Sequence, residues 1–307
     1  MAYTTINNPS ATAFNTKLYT GNGGTQSITG VGFQPDWVWL KIRSDTANHH
    51  LYDSVRGVQK RINSNTTNVE ATSANNLTSF NSDGFTLGSE SDINQNSSTY
   101  ASWNWKANGQ GSSNTDGSIN TTYTSVNTTA GFSISKYTGT GSTATVGHGL
   151  GVAPKMIIFK NTSSAVDWRV YHESLGNTHR LCLNDTSTSN NDDSAFNDTS
   201  PTSTVFTVGG SSSTNAGTMI AYCFRDVIGY SKFGSYLGNG NPDGTFIYTG
   251  FKPAFVMVRQ SNTTNNWIIL DNKRDTFNPQ DSSIYPNLNN AEDANGADYF
   301  DFYSNGM

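Results

Sequence analysis

The order of apolar and polar residues repeats along three stretches of this 307-residue chain. In each stretch a Gly or aliphatic turn and a proline lead into an apolar run whose residues are apolar on both faces. Such a run predicts a strand packed between two layers, and the basic residue that closes it, Lys41, Lys160 or Arg259, is expected to emerge into water. The predicted strands are Trp37–Ile42, Met156–Lys160 and Phe255–Val258.

A glycine-rich phrase precedes each of these strands. Its copies are Tyr19–Gly23, Tyr137–Gly141 and Tyr236–Gly240, which begin about 118 and 99 residues apart. This spacing exceeds the periods of about 20–50 residues that indicate solenoids and propellers, so each unit is long enough to close its own core. Polar turn residues rather than an apolar helix follow the glycines, so we interpret the phrase as a turn and not as a phosphate loop.

The remaining pattern is typical of an all-β protein. Short runs of about five residues alternate with Asn, Gly, Ser and Asp, and no helical periodicity extends beyond about two turns. We predict a tandem array of three antiparallel β-sandwich modules of the jelly-roll or lectin-like kind. The predicted segments are an N-terminal arm at 1–13, module 1 at 14–107, a linker rich in Gly, Ser, Asn and Thr at 108–131, module 2 at 132–228 and module 3 at 229–307.

The third module is predicted to be incomplete at its C-terminus. The strands predicted at Tyr100–Lys106 and Met219–Phe224 close the first two modules, and no run after Tyr299–Tyr303 corresponds to them. A sandwich without its closing strand leaves backbone groups unpaired. We therefore expect either that the chain continues beyond this sequence or that a partner completes the module.

Composition excludes several classes of protein. Charged residues make up 13% of the chain and the net charge is −5, without a basic run, which argues against a nucleic acid partner. No signal peptide and no apolar run of membrane-spanning length occur, so we expect synthesis in the host cytoplasm without membrane insertion. Cys182 and Cys223 lack a disulfide framework and are expected to be buried free thiols.

Candidate catalytic and metal-binding residues favour structural interpretations. His172, Glu173 and Ser174 are adjacent, as are Asp53 and Ser54, and neighbours in a strand point to opposite faces and form no triad. We predict no catalytic, cofactor-binding or metal-binding residues, and no cofactor. The other groups considered as metal ligands are His49 with His50, His172 with His179, Asn190–Asp193 and Asp271–Asp275, which fit capping residues or exposed turns.

Pairs of aromatic residues provide the one pattern with a binding interpretation. Trp37 and Trp39 share a strand face, as do Trp103 and Trp105, and such a pair can stack on a sugar ring. Apolar residues recur at the matching places of the second unit, which favours packing in the core. The ligand-binding residues remain unknown from the sequence, and any glycan contact is expected on the loops.

The chain resembles a family of repeat-containing virion structural proteins of marine tailed phages. The phrases that carry the resemblance are Met1–Ser10, Gln34–Lys41, Asp53–Val58, Ser79–Gly88, Trp103–Lys106, Asp167–Asn177 and Gly229–Tyr236. The resemblance implies lectin-like sandwich repeats, a tail fibre or structural role and no catalytic residues.

These observations lead to a functional hypothesis with two alternatives. We expect a non-enzymatic phage tail fibre or appendage subunit, located in the virion, that presents its modules for host attachment. Expected partners are other tail or capsid proteins, host surface glycan and copies of the chain in a homo-oligomer, with a homotrimer as the assumed form. The alternatives are a capsid-decorating or head-fibre protein, and a depolymerase of host polysaccharide.

Overall fold

Antiparallel sheets dominate the computed structural model, which describes residues 12–241, 243–294 and 300–307. Strands hold 38% of the residues and helices 4%, which confirms the prediction of an all-β protein. Most of the predicted N-terminal arm at 1–13 lies outside the described residues, as does the first residue of the strand predicted at Tyr299–Tyr303. Below, the first, second and third repeats are residues 14–107, 132–228 and 229–307.

The first repeat forms one large and one small sheet. The large sheet has the order β1-β9-β3-β4, and the small sheet has the order β2-β8-β7. Strands β5 and β6 pair separately. The elements are β1 (Phe14–Thr20), β2 (Gln26–Thr29), β3 (Trp37–Ile42), β4 (His50–Asp53), β5 (Lys60–Arg61), β6 (Ala71–Thr72), β7 (Leu77–Asn81), β8 (Gly84–Leu87), α1 (Ser91–Asn94) and β9 (Thr99–Trp105).

The second repeat follows the same order. Its large sheet runs β10-β11-β18-β13-β14-β15-β16, and its small sheet pairs β12 with β17. A 3₁₀ turn, Glu173–Leu175, follows β14. Strand β10 (Tyr123–Asn127) precedes the repeat and pairs at the edge of its sheet. The other elements are β11 (Phe132–Thr140), β12 (Ala144–Gly147), β13 (Met156–Asn161), β14 (Arg169–His172), β15 (His179–Cys182), β16 (Asn190–Asn191), α2 (Asp193–Phe196), β17 (Val205–Val208) and β18 (Ala216–Phe224).

The third repeat has much less regular structure. Among its described residues, β19 (Phe255–Val258) and β20 (Ile268–Asp271) form a two-stranded sheet. Ile269 also bridges to Ile284, as Leu51 bridges to Ile62 in the first repeat. Tyr248 forms an isolated bridge with Gly306.

Each large sheet has its own core on one face. In the first repeat, Val38 and Leu40 of β3 pack with Phe85 and Leu87 of β8. In the second, Ile157 and Phe159 of β13 pack with Val146 and Phe206 of the small sheet. In the third, Val256 and Leu270 cluster with Phe302. One of the two apolar faces predicted for β3, β13 and β19 therefore lies in a local core.

The opposite faces of the three sheets meet in one shared core. Trp37 and Trp39 of β3 contribute to it together with residues of the other two repeats, including Phe132, Tyr222, Trp267 and Ile269. The Trp37 and Tyr222 rings stack with centroids 4.4 Å apart. Offset aromatic pairs of this kind add about 0.5–1.5 kcal/mol beyond their burial. The first and second repeats are therefore joined through their largest side chains.

Hydrogen bonds connect the repeats in a cyclic order. In each pair the acceptor is the backbone carbonyl six residues after the start of β3, β13 or β19. The second repeat accepts from the first, the third from the second and the first from the third. The pairs are Glu70 N to Thr162 O at 2.9 Å, Ser189 N to Ser261 O at 2.7 Å and Glu292 N to Arg43 O at 2.8 Å.

Aromatic side chains repeat this cycle. The residue immediately before β4, β14 or β20 directs a ring nitrogen at a backbone carbonyl of the preceding repeat. In this cyclic order the first repeat precedes the second, the second precedes the third, and the third precedes the first. The contacts are Trp168 Nε1 to Asn63 O at 3.0 Å, Trp267 Nε1 to Cys182 O at 2.7 Å and His49 Nε2 to Tyr285 O at 3.0 Å.

Two expectations from the sequence are corrected. Lys41 and Lys160 do not emerge into water, because both are at most 1% exposed. Lys160 Nζ donates to the carbonyls of Thr67 and Val166, and burial lowers the pKa of each lysine to about 8. In addition, the range 108–131, expected to be a linker, contains β10, which pairs with β11. Its Ser and Thr side chains form hydrogen bonds within the sheet.

Candidate functional site

A buried ion pair marks the end of β4, where the first repeat meets the second. Asp53 is fully buried, and its Oδ2 accepts from Arg56 Nε at 2.5 Å and from the Tyr222 hydroxyl at 2.7 Å. Glu70 Oε2 lies 3.2 Å from Arg56 Nη1. Burial alone would lower the pKa of Arg56, but the neighbouring Asp53, Tyr222 and Glu70 raise it above its usual value. Arg56 therefore stays charged and links two repeats.

The same arrangement recurs at the end of β20, where the third repeat meets the first. Asp271 Oδ2 accepts from Arg274 Nε at 2.6 Å and from Trp103 Nε1 at 3.0 Å. Glu292 Oε2 accepts from Arg274 Nη1 at 3.0 Å, and Glu292 also forms a two-point contact with Arg43. Burial raises the pKa of Glu292, but the guanidinium groups of Arg43 and Arg274 lower it by more. The pKa of Glu292 therefore lies below its usual value.

His172 occupies the corresponding position at the end of β14, with Leu175 in place of the arginine. The Nδ1 atom of His172 accepts from Ser174 N at 3.2 Å. Burial lowers the pKa of His172, so the ring is neutral at pH 7 and its proton is on Nε2. No residue in the described part of the chain bonds Nε2, whereas both corresponding aspartates accept from an aromatic residue of a neighbouring repeat.

An open groove lies beside His172 and is lined by residues of all three repeats, most of them from the third. It has a volume of about 1620 Å³ and is lined mainly by apolar residues, among them Met156, Leu175, Phe224 and Met257. None of the described residues that line it is an aspartate or a glutamate. The groove can therefore hold apolar material, but it offers no carboxylate for acid–base chemistry.

The sequence-derived candidates are dispersed in the structure. The aromatic pairs at Trp37/Trp39 and Trp103/Trp105 belong to the shared core, as the packing interpretation predicted, and offer no stacking platform. His49 and His50 are fully buried and bonded within the fold, and burial lowers the pKa of each. Glu173 pairs with Lys155 at the surface. Sequence reasoning missed the groove and the bond between Tyr222 and Asp53.

The two cysteines are buried free thiols, which confirms the prediction. Cys182 Sγ lies within 4.8 Å of a carboxylate oxygen of Asp167 and one of Asp185. This sulfur accepts from Arg169 and Arg180, each at 2.9 Å, and burial raises the pKa of the thiol to about 11. The sulfur is thus already bonded to two guanidinium groups, and we interpret the cluster as a hydrogen-bonded structural site.

The family model for a domain of unknown function, DUF7483, matches residues 9–307. The chain belongs to this family. Comparisons with curated proteins and with solved structures give no match. No helix within the described ranges is long and apolar enough to cross a membrane.

Proposed function

We propose that the chain is a non-enzymatic virion structural protein, a subunit of a phage tail fibre or related appendage. In this proposal the three repeats are β-sandwich modules, no closing strand occurs among the described residues of the third, and the modules form a closed ring around the shared core. The resemblance of the sequence to virion structural proteins supports the assignment.

The cyclic contacts between the repeats are the observation that carries this proposal. Equivalent positions in all three repeats donate to equivalent carbonyls of a neighbour, with the third repeat returning to the first. Buried ion pairs at Asp53 and Asp271 add charge-assisted hydrogen bonds across two of the boundaries. The polar chemistry inside the fold thus serves cohesion, as a rigid particle component requires.

A depolymerase is a weaker proposal on this geometry. A glycosidase needs two carboxyl groups about 5–10 Å apart in a groove that holds the sugar chain. The open groove has no carboxylate among its described lining residues, and Asp53 and Asp271 are fully buried in ion pairs. Host glycan would instead contact the exposed Asn, Ser and Thr side chains of the loops, and several copies of the chain in a homotrimer would act together.

The test is to locate the protein on the virus particle. Cryo-electron microscopy of virions with a bound antibody fragment against the chain is expected to show density on the tail. Density distributed over the head would support the capsid-decorating alternative and contradict the tail assignment. Cleavage of purified host polysaccharide by the 307-residue chain would contradict the non-enzymatic role.

A further inference from the structure

Exposed aromatic side chains are confined to the third repeat within the described ranges. The aromatic residues that are more than a third exposed are Tyr236, Phe246, Tyr248, Phe277 and Tyr303. Single exposed apolar residues are ordinary in folded proteins, but a group of them on one surface marks a binding site more often than chance. The question is therefore which of these five residues share a surface.

Three of them lie on one face, here called the aromatic face and formed by Phe246, Tyr248 and Tyr303. Phe246 and Tyr248 are alternate residues and so point to the same side of their segment. The backbone pairings of this region match those of the small sheet in the first repeat. The matching pairs are Ile247 with Met307 and Ile28 with Phe85, and Tyr303 with Gly306 and Asn81 with Gly84.

The aromatic face corresponds to a surface that is open to solvent in the first repeat as well. By the matching pairs, Phe246 and Tyr248 take the places of Ser27 and Thr29, which are exposed although the small sheet of the first repeat has all three of its strands. Their exposure therefore follows from the side of the sheet on which they lie. What distinguishes the third repeat is that aromatic rings replace small polar side chains there.

Carboxylate groups lie beside these rings. The Phe246 and Tyr303 rings are in contact, with centroids 6.2 Å apart. The Tyr303 hydroxyl donates to Oδ2 of Asp301 at 3.1 Å, and this bond, together with the charges of Asp301 and Asp243, raises the pKa of Tyr303. A carboxylate accepts several hydrogen bonds, and an aromatic ring attracts the positively polarised edge of a C–H group. A pyranose ring offers both hydroxyl donors and C–H groups.

The size and charge of the face narrow the choice of ligand. The side chains of Phe246, Tyr248 and Tyr303 are 52%, 67% and 48% exposed. Their exposed area is roughly 250–420 Å², because a whole aromatic side chain buries about 150–250 Å². A stable protein interface needs about 800 Å² on each partner, so the face fits a small ligand better than a second copy of the chain. The carboxylates of Asp243 and Asp301 would repel an acidic sugar, so the ligand is neutral.

We infer that the aromatic face binds a neutral glycan of β-linked glucose or N-acetylglucosamine, with sugar rings stacked on Phe246, Tyr248 and Tyr303 and a hydroxyl donating to Asp301. In these two sugars all ring substituents are equatorial, which leaves C–H groups on both faces of the ring. The inference rests on the proposed function only for the source of the glycan on a host. Tail location is measured on the virion and sugar binding on the isolated chain, so either can fail alone.

Titration of the 307-residue chain with cellohexaose and with N-acetylchitohexaose tests the inference. We expect saturable binding of at least one of them by ligand-observed NMR. Hexamannuronate, an acidic oligosaccharide of the same length, should bind more weakly. Failure of both neutral oligosaccharides to bind, or stronger binding of hexamannuronate, would overturn the inference.

Variants of the aromatic face locate the binding. Phe246→Ala and Tyr303→Ala should each weaken the neutral oligosaccharide about twofold to tenfold, because each removes one stacking partner. Ile228→Ala is the matched control, since Ile228 is 91% exposed and lies outside the face. Urea midpoints of all three variants show whether the fold is retained. Affinities equal to that of the control would overturn the placement of the site.

Sedimentation velocity separates glycan binding from contact between copies. The inference predicts that Phe246→Ala leaves the oligomeric state of the 307-residue chain unchanged. Dissociation of an oligomer by this substitution would assign the aromatic face to a contact between copies and would overturn the inference.

Discussion

Neutralising Asp53 should destabilise the protein far more than neutralising an exposed carboxylate. Asp53 is fully buried and accepts from the Arg56 side chain at 2.5 Å, the Arg56 backbone nitrogen at 2.8 Å and the Tyr222 hydroxyl at 2.7 Å. Asp53→Asn leaves Arg56 buried with Glu70, 3.2 Å away, as its remaining carboxylate. Removing one partner of a buried pair costs about 3–5 kcal/mol, a large part of a typical stability of about 5–15 kcal/mol.

Glu173→Gln is the matched control, because it makes the same chemical change in a surface pair. The side chains of Glu173 and Lys155 are 54% and 29% exposed, so the expected cost is about 0–1 kcal/mol. Urea unfolding followed by tryptophan fluorescence, with both midpoint and slope recorded, measures the two variants. A cost for Asp53→Asn no larger than that of the control would refute the reasoning.

The hydroxyl of Tyr222 extends the test across the boundary between repeats. Tyr222→Phe should cost about 1.5–3 kcal/mol, since the lost bond is to a charged group. Tyr137→Phe, whose hydroxyl bonds the neutral carbonyl of Thr214 within one repeat, should cost about 0.5–1.5 kcal/mol. In a double-mutant cycle, Asp53→Asn and Tyr222→Phe should be non-additive by at least about 0.5 kcal/mol, and strict additivity would contradict a direct contact.

Three further predictions address the glycine phrase, the ring of contacts and acid stability. Gly139→Ala should cost at least about 1–3 kcal/mol in urea unfolding, because the new methyl group would lie 2.3 Å from a β18 nitrogen, while Gly238→Ala should cost nothing. Trp267→Phe should cost more than Trp37→Phe, by about 1–3 kcal/mol, since only the Trp267 indole bonds a carbonyl; equal costs would count against the inter-repeat bond. Burial lowers the pKa of His49 in the folded protein, so below about pH 6.5 the unfolded chain binds more protons than the folded one. The free energy of unfolding should therefore decrease as the pH falls, and His49 should contribute up to about 1.4 kcal/mol per pH unit to this slope. His49→Gln should reduce the slope measured by urea unfolding at a series of pH values.

The strands that were predicted well share a strong apolar period. Trp37–Ile42 and Phe255–Val258 have the predicted bounds. Strands β10 and β12 were missed, because Tyr123–Asn127 and Ala144–Gly147 are rich in small and hydroxyl side chains. In such strands pairing with a neighbour, rather than apolar alternation, determines the conformation.

The buried lysines show a different limit of sequence reasoning. A lysine that closes an apolar strand normally extends to water, and that expectation gave the wrong environment for Lys41 and Lys160. The carbonyls that Lys160 contacts include Thr67, which is 93 residues away in another repeat. No local pattern encodes an acceptor at that distance.

Comparison of the three repeats identifies long-range contacts that a local pattern does not. Once one inter-repeat contact is known, the equivalent positions identify the other two, as Trp168, Trp267 and His49 do. The same rule applied to Tyr222 and Trp103 leads to His172, where the described chain supplies no partner.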